Sequence, residues 1–221
     1  MNRLGKLLIW PVFAAPAIYL GLVWKKLPDT VPLHFNIKGE PDRYGSKTEL
    51  LVVMGVMLVV NILVYLLLTN IHRIDPKKKY TAENLPKMKR LAMVIACFMS
   101  VIACIIIFST EQQAFKMSAG YILAAIGLLF SFIGNYMYSI KPNYFAGLRL
   151  PWTLEDEDNW KKTHQLAGKL WFAGGIVLAV LALLLPETVA FIVFMAGIGV
   201  LVLVPAVYSY RIYKNSKKNA A

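Results

Sequence analysis

Six long apolar runs govern what this chain can become. They cover about residues 7–24, 50–68, 91–108, 120–140, 169–185 and 189–210. Each approaches or exceeds the ~20 apolar residues that carry a helix across the ~30 Å hydrocarbon of a bilayer. No water satisfies backbone N–H and C=O groups in that layer, so such runs cross it as helices. The expected fold is an all-α membrane protein: a bundle of about six transmembrane helices with an extended outer loop and a cytoplasmic interfacial helix. Composition agrees, since 58% of the 221 residues are hydrophobic, against ~45–50% in ordinary soluble domains.

The first run follows Arg3 and Lys6 and contains the small residues Ala14, Ala15 and Ala17. It resembles a signal sequence but exceeds the ~7–15 apolar residues of a cleaved one. It is read as an uncleaved first helix. Pro11 and Pro16 should bend it, and Pro205 should bend the last helix. Trp10, Trp24, Tyr121, Tyr136, Tyr138, Trp171, Tyr208 and Tyr210 are expected near span ends, where amphipathic rings meet the interface.

Basic residues set the expected orientation. Both termini, the 73–90 loop and the 141–169 stretch carry eighteen Lys and Arg, and the alternate loops carry six. By the positive-inside tendency, the richer set faces the cytoplasm of a plasma membrane and residues 27–47 face outside. The net charge of +12 then points to anionic headgroups. No aromatic–basic motif points to direct contact with nucleic acid.

The longest polar interruption, residues 134–168, reads GNYMYSIKPNYFAGLRLPWTLEDEDNWKKTHQLAG. Gly147 permits unusual backbone angles, while Pro142 and Pro151 fix theirs, so an ordered loop is expected. Tyr144, Phe145 and Trp152 suit the membrane–water boundary, with Lys141 and Arg149 reaching lipid phosphate. Arg149 is alternatively a forked donor to the acidic turn 155–158 or to an acidic partner. A helix should start with Thr153 as cap and Asp156 completing a capping box. Glu157–Lys161 and Asp158–Lys162 are spaced for i,i+4 pairs. Trp160, His164, Ala167 and Trp171 form one stripe. The expected element is an amphipathic helix that lies at the interface and then turns into the bilayer.

The outer segment has a different period. Val31, Leu33, Phe35 and Ile37 alternate with Pro32, His34, Asn36 and Lys38, which predicts an extended strand. Gly39 and Glu40-Pro41-Asp42 should turn the chain. A lone strand leaves its backbone unsatisfied, so it needs another loop, a second subunit or a bound peptide.

Candidate chemistry is sparse. His34, with Glu40 and Asp42, has the groups for a metal or acid–base site but no metal-ligand spacing. The plainer reading is a loop held by hydrogen bonds from His34 and Asn36. His164 has either a pH-sensing role or a packing role. Asn61 and Asn135, polar residues in apolar spans, are placed to bind a ligand or to hydrogen-bond between helices. Cys97 and Cys104 read as small core side chains. The Lys77-Lys78-Lys79 run touches acidic lipid or docks an acidic partner. No charged residue or histidine lies mid-span, which argues against an ion-coupled pump. No catalytic set, cofactor or metal is expected.

Two motifs carry a family resemblance. GN, KPNYFAGLRLPWTL, a Trp, TH and a Gly in residues 134–168 resemble the signature of SdpI-like bacterial membrane proteins. LPDTVPLHFNIKGEPDRYGSK, residues 27–47, resembles the domain of unknown function that often precedes that signature. The resemblance implies an immunity protein that protects a producing bacterium from a secreted peptide toxin. It also implies a signal transducer that holds a small ArsR-type autorepressor at the membrane. The implied division is an N-terminal hairpin with the outer motif over 1–70, a basic loop and third helix over 71–118, and an SdpI-like domain over 119–221. Candidate binding residues are His34, Asn36, Asp42, Asn135, Lys141, Asn143, Arg149, Trp152, Trp160 and His164. The competing reading is a membrane enzyme or carrier for a lipid or small amphiphile. Lys141, Asn143, Arg149 and His164 would then line a headgroup site.

Overall fold

The computed structural model describes residues 9–37, 40–112 and 118–219. In order these form α1 (Ile9–Val23), β1 (Thr30–Phe35), β2 (Pro41–Ser46), α2 (Lys47–Ile74) and a 3-10 turn (Lys78–Tyr80). There follow α3 (Thr81–Glu111), α4 (Ala119–Met137), α5 (Pro151–Glu155), α6 (Glu157–Leu184) and α7 (Glu187–Asn219). The helices α2, α3, α4, α6 and α7 are long and apolar enough to cross a membrane, and α1 is a shorter apolar helix of 15 residues. The fold is all-α and of membrane type. Arg3, Lys6 and the first two residues of the first expected span lie outside the described residues, as do Lys38 and Gly39 of the outer motif.

The chain forms two compact units. The first takes the described residues up to Thr69 and those from Lys89 to Ala119. Its extended segment finds a partner in its own continuation: β2 pairs antiparallel with β1 from Thr30↔Ser46 to Phe35↔Pro41. Pro41 and Asp42 therefore begin a strand instead of turning the chain. A proline at a strand's first residue costs the ladder little. Val31 anchors the hairpin, fully buried among Leu20, Val23, Leu27, Leu50, Met54, Ala103 and Ile107. Ser46 then starts α2 with a capping box. Its Oγ accepts from the Glu49 amide at 3.2 Å, and the Glu49 carboxylate accepts from the Ser46 amide at 3.4 Å.

Asn61 ties α2 to α3 in this unit. Its amide donates to the Ala96 carbonyl at 3.1 Å and to Ser100 Oγ at 3.2 Å. Such interhelical bonds contribute roughly 0.6–2 kcal/mol each in membranes. The T-shaped pair of Phe13 and Tyr65, 5.5 Å apart, joins α1 to α2.

The second unit takes Asn70–Met88 and the described residues from Gly120 on. Here small residues let helices approach closely. A Cβ on Gly175 of α6 would stand 2.5 Å from the Gly127 carbonyl oxygen and 2.6 Å from the Ser131 nitrogen of α4. A Cβ on Gly134 would stand 2.5 Å from the Phe172 nitrogen. Lipid is as apolar as leucine, so backbone approach and van der Waals contact hold such helices together. Helices α6 and α7 run antiparallel, with the Trp171 indole donating to the Leu201 carbonyl at 2.8 Å. Trp171, expected at a span end, thus packs mid-helix, because α6 begins at Glu157 and not near residue 169. The segment expected to lie in the interface and then turn forms one unbroken helix. Asn135 is exposed on α4 and not turned into the unit.

Replacing Gly175 by valine should overpack the α4–α6 contact and cost about 1–3 kcal/mol. The check is a lower thermal unfolding midpoint in detergent. Gly199→Ala, where a Cβ meets nothing within 4 Å, should leave the midpoint unchanged.

Candidate functional site

Each unit holds one of the two motifs. In the first unit, His34 Nδ1 and Asp42 Oδ1 are 2.6 Å apart across the hairpin, both exposed. Asn36 closes the turn: its amide donates to the Glu40 carbonyl at 2.8 Å, and its side-chain oxygen accepts from the Glu40 amide at 3.1 Å. Glu40 thus bonds with Asn36 while Asp42 pairs with His34. The motif is a loop held by hydrogen bonds, with Asp42, Arg43 and Tyr44 exposed on β2.

In the second unit, residues 138–150 leave the end of α4 without helix or strand, and side chains bond many of their backbone groups. Asn143, 2% exposed, does most of this. Its Nδ2 donates to the carbonyls of Lys141 at 2.9 Å and Ala146 at 3.1 Å. Its Oδ1 accepts from the amides of Phe145 at 2.9 Å and Ala146 at 2.7 Å. The side chain therefore has no capacity left for a ligand. Asn84 exchanges two bonds with the Lys141 backbone, at 3.0 and 2.9 Å.

The start of α6 fastens this loop. Trp160 is buried, and its indole donates to the Ile140 carbonyl at 2.9 Å. His164 stacks on it, with ring centroids 3.9 Å apart and 16° between planes. The Leu148 amide donates to His164 Nε2 at 3.0 Å. Nε2 is therefore the unprotonated nitrogen, and Nδ1–H donates to the Trp160 carbonyl at 2.8 Å. Both ring nitrogens are used, and the neutral imidazole is the form these bonds require. His164 packs and orients the loop; it pairs with no carboxylate among the described residues. Gly147 sits against it at φ +109°, where a Cβ would fall 2.3 Å from Nε2. Only glycine combines that angle with that approach.

Helix starts differ from the sequence expectation. Pro151 opens the short α5, and Thr153 lies inside it. Thr153 Oγ1 accepts from the Leu150 amide at 3.0 Å and donates to the Leu148 carbonyl at 2.8 Å. Asp156, in extended conformation, is the cap of α6 and accepts from the amides of Asp158 and Asn159. Asp158 pairs with Lys162 at 2.6 Å as anticipated. Glu157 reaches Lys79 at 2.9 Å, and the Tyr80 hydroxyl, instead of Lys161. Lys77 donates to the Leu154 carbonyl. Two lysines of the basic run thus hold the signature stretch from within the unit.

Arg149 makes no forked pair with the acidic turn. It is exposed, and its Nη1 donates to the Tyr144 carbonyl at 2.7 Å. Trp152 packs on α7: its indole donates to Ser209 Oγ at 2.6 Å, and its ring stacks on Tyr213 at 5.6 Å. Sequence reasoning missed Asn159, Thr163 and Ser209. Asn159 donates to the Ser209 carbonyl at 3.0 Å and accepts from Thr163 Oγ1 at 2.9 Å, all fully buried. The signal was present, since 159 and 163 border the Trp160–His164 stripe at the same spacing.

Comparison with known proteins follows these motifs. Residues 139–209 match the SdpI/YfhL protein family, and residues 12–59 match a domain of unknown function, DUF1648. The chain is 26% identical over 196 residues to a Bacillus subtilis protein named Immunity protein SdpI, covering 87% of this chain and 88% of that one. It is 39% identical over 59 residues to an uncharacterized protein of Archaeoglobus fulgidus, covering 27% of this chain and 28% of that one. No solved structure gives a significant match. The family resemblance read from the two motifs is borne out.

His164→Leu strands the Leu148 N–H, and Gly147→Ala forces a strained angle into occupied space. A buried orphan donor costs about 1–3 kcal/mol, so local opening should rise about 5- to 150-fold. Tryptic cleavage after exposed Arg149 should accelerate accordingly in both variants. Wild-type cleavage rates in both would contradict the fastening role.

Proposed function

We propose that this chain, with its SdpI/YfhL segment at 139–209 and its DUF1648 segment at 12–59, is a multi-pass membrane immunity protein. On this reading it protects the cell that carries it from a secreted antimicrobial peptide toxin. It also holds a cytoplasmic ArsR-type autorepressor at the membrane once toxin is bound. The observation that carries the reading is the extent of similarity to Immunity protein SdpI, which covers 87% of this chain.

The orientation proposed from eighteen basic residues against six sets the hairpin outside and the signature stretch and both termini inside. Asp42, Arg43 and Tyr44 then meet the toxin. The exposed Tyr144, Arg149 and Glu155 meet the repressor. Toxin shifts repressor binding only by favouring one of two states of the protein. We read the chain as a binding protein and not an enzyme. Against the lipid-processing alternative, Asn143 and His164 spend their polar groups inside the loop, which leaves only Lys141 and Arg149 of its four residues to meet a headgroup.

The test is protection. Toxin-sensitive cells expressing the wild-type chain should survive the peptide toxin against which the Bacillus subtilis immunity protein acts. His34→Ala and Asp42→Ala should each lower survival at equal membrane abundance, because the pair that fixes the hairpin is broken. Survival no better than vector with the wild-type chain would refute immunity. Full protection by both variants would remove the hairpin from toxin sensing.

A further inference from the structure

A cleft of about 480 Å³ opens within the second unit. Lys87, Lys141 and Lys161 stand around it with Tyr80, Tyr138 and Gln165. The carboxylates at its rim are already engaged. Glu157 binds Lys79 and Tyr80, and Asp158 binds Lys162. Lys141 Nζ lies 3.7 Å from Glu83, with both side chains about half exposed. Among the described residues, Lys87 donates only to the Ser139 carbonyl. Lys161 has no ion pair among the described residues. The cleft therefore presents more positive charge than it neutralises.

Its depth is informative. Tyr138 to Lys141 follow Met137, the last residue of α4. Lys161 and Gln165 precede the apolar part of α6, and Lys87 precedes the apolar part of α3. The cleft thus sits where apolar helix gives way to polar chain, the level of lipid headgroups. On α4 an exposed row leads to it. Leu128 is 50% and Phe132 54% exposed, followed by exposed Asn135 and Tyr138. A polar amide facing hydrocarbon needs a partner, and a lipid's glycerol ester carbonyl lies at that depth.

We propose that this cleft binds the phosphate of an anionic phospholipid. Lys87, Lys141 and Lys161 take the phosphate, the Tyr138 hydroxyl donates to it, Asn135 holds the ester, and one acyl chain lies along Phe132 and Leu128. A free phosphate ester shares the headgroup chemistry; the apolar row favours the lipid. This inference is independent of the toxin and the repressor.

Native mass spectrometry of the detergent-solubilised full chain provides the test, with phosphatidylglycerol and phosphatidylcholine of matched chains. The wild type should prefer phosphatidylglycerol by about tenfold or more. Lys141→Gln with Lys161→Gln should abolish the preference, and Asn135→Leu should weaken binding. Lys217→Gln with Lys218→Gln, an equal loss of charge in the tail, should leave it intact. Equal retention of both lipids, or an equal loss in the tail variant, would overturn the site. Displacement by millimolar glycerol phosphate would overturn the lipid in favour of a soluble ester. Lysine-dependent capture of a polyglutamate peptide without lipid binding would overturn it in favour of an acidic protein partner.

Discussion

Two hydrogen bonds from one turn of helix hold the signature stretch in shape. The Trp160 indole takes the Ile140 carbonyl, and the His164 imidazole takes the Leu148 amide. Between these anchors the chain is neither helix nor strand, so its backbone polar groups require partners one by one. Asn143 supplies four bonds, Asn84 two and Thr153 two. The stacked Trp160 and His164 rings make the floor on which Gly147 turns. Irregular backbone at a membrane boundary persists only when it is satisfied in this way.

Much of the fold was legible in the sequence, for a physical reason. Length of apolar run is nearly sufficient to define a membrane helix, so five of the six expected spans recur in order as helices long enough to cross, while the first is an apolar helix of 15 residues among the described ones. The period-two pattern at 31–37 marks a strand, and the Trp160–His164–Ala167 stripe marks the buried face of α6. What pattern could not convey was choice of partner. Glu157 had a favourable neighbour at Lys161 but bonds to Lys79 and Tyr80, dozens of residues earlier. Thr153 had the chemistry of a cap, yet Pro151 started a short helix ahead of it, leaving Asp156 to cap the long one. Arg149 offered a fork, and its Nη1 reaches one carbonyl. The hairpin was hidden because β2, PDRYGS, lacks the β-branched residues that announce a strand.

The two units are built on different packing economies. In the first, branched and aromatic side chains meet around Val31 and Phe13, with the Asn61 bond as polar tie. In the second, glycines bring α4 onto α6 at backbone distance. Larger side chains at Gly127, Gly134 or Gly175 would separate those helices and so the two ends of the signature stretch they carry. The shape of the candidate partner surface is thus tied to small residues at and just beyond the two ends of the stretch that carries it.

Sidedness is the claim on which the toxin-facing hairpin and the repressor-facing stretch both rest. The direct measurement is cysteine labelling in a Cys97→Ala/Cys104→Ala background. Tyr44→Cys places a thiol on exposed β2 without disturbing the Ser46 cap, and Ser216→Cys places one near the end of α7. A membrane-impermeant maleimide should label Tyr44→Cys in intact cells and Ser216→Cys only after permeabilisation. The reverse pattern, or labelling of both in intact cells, would contradict the orientation and the functional assignment of both motifs.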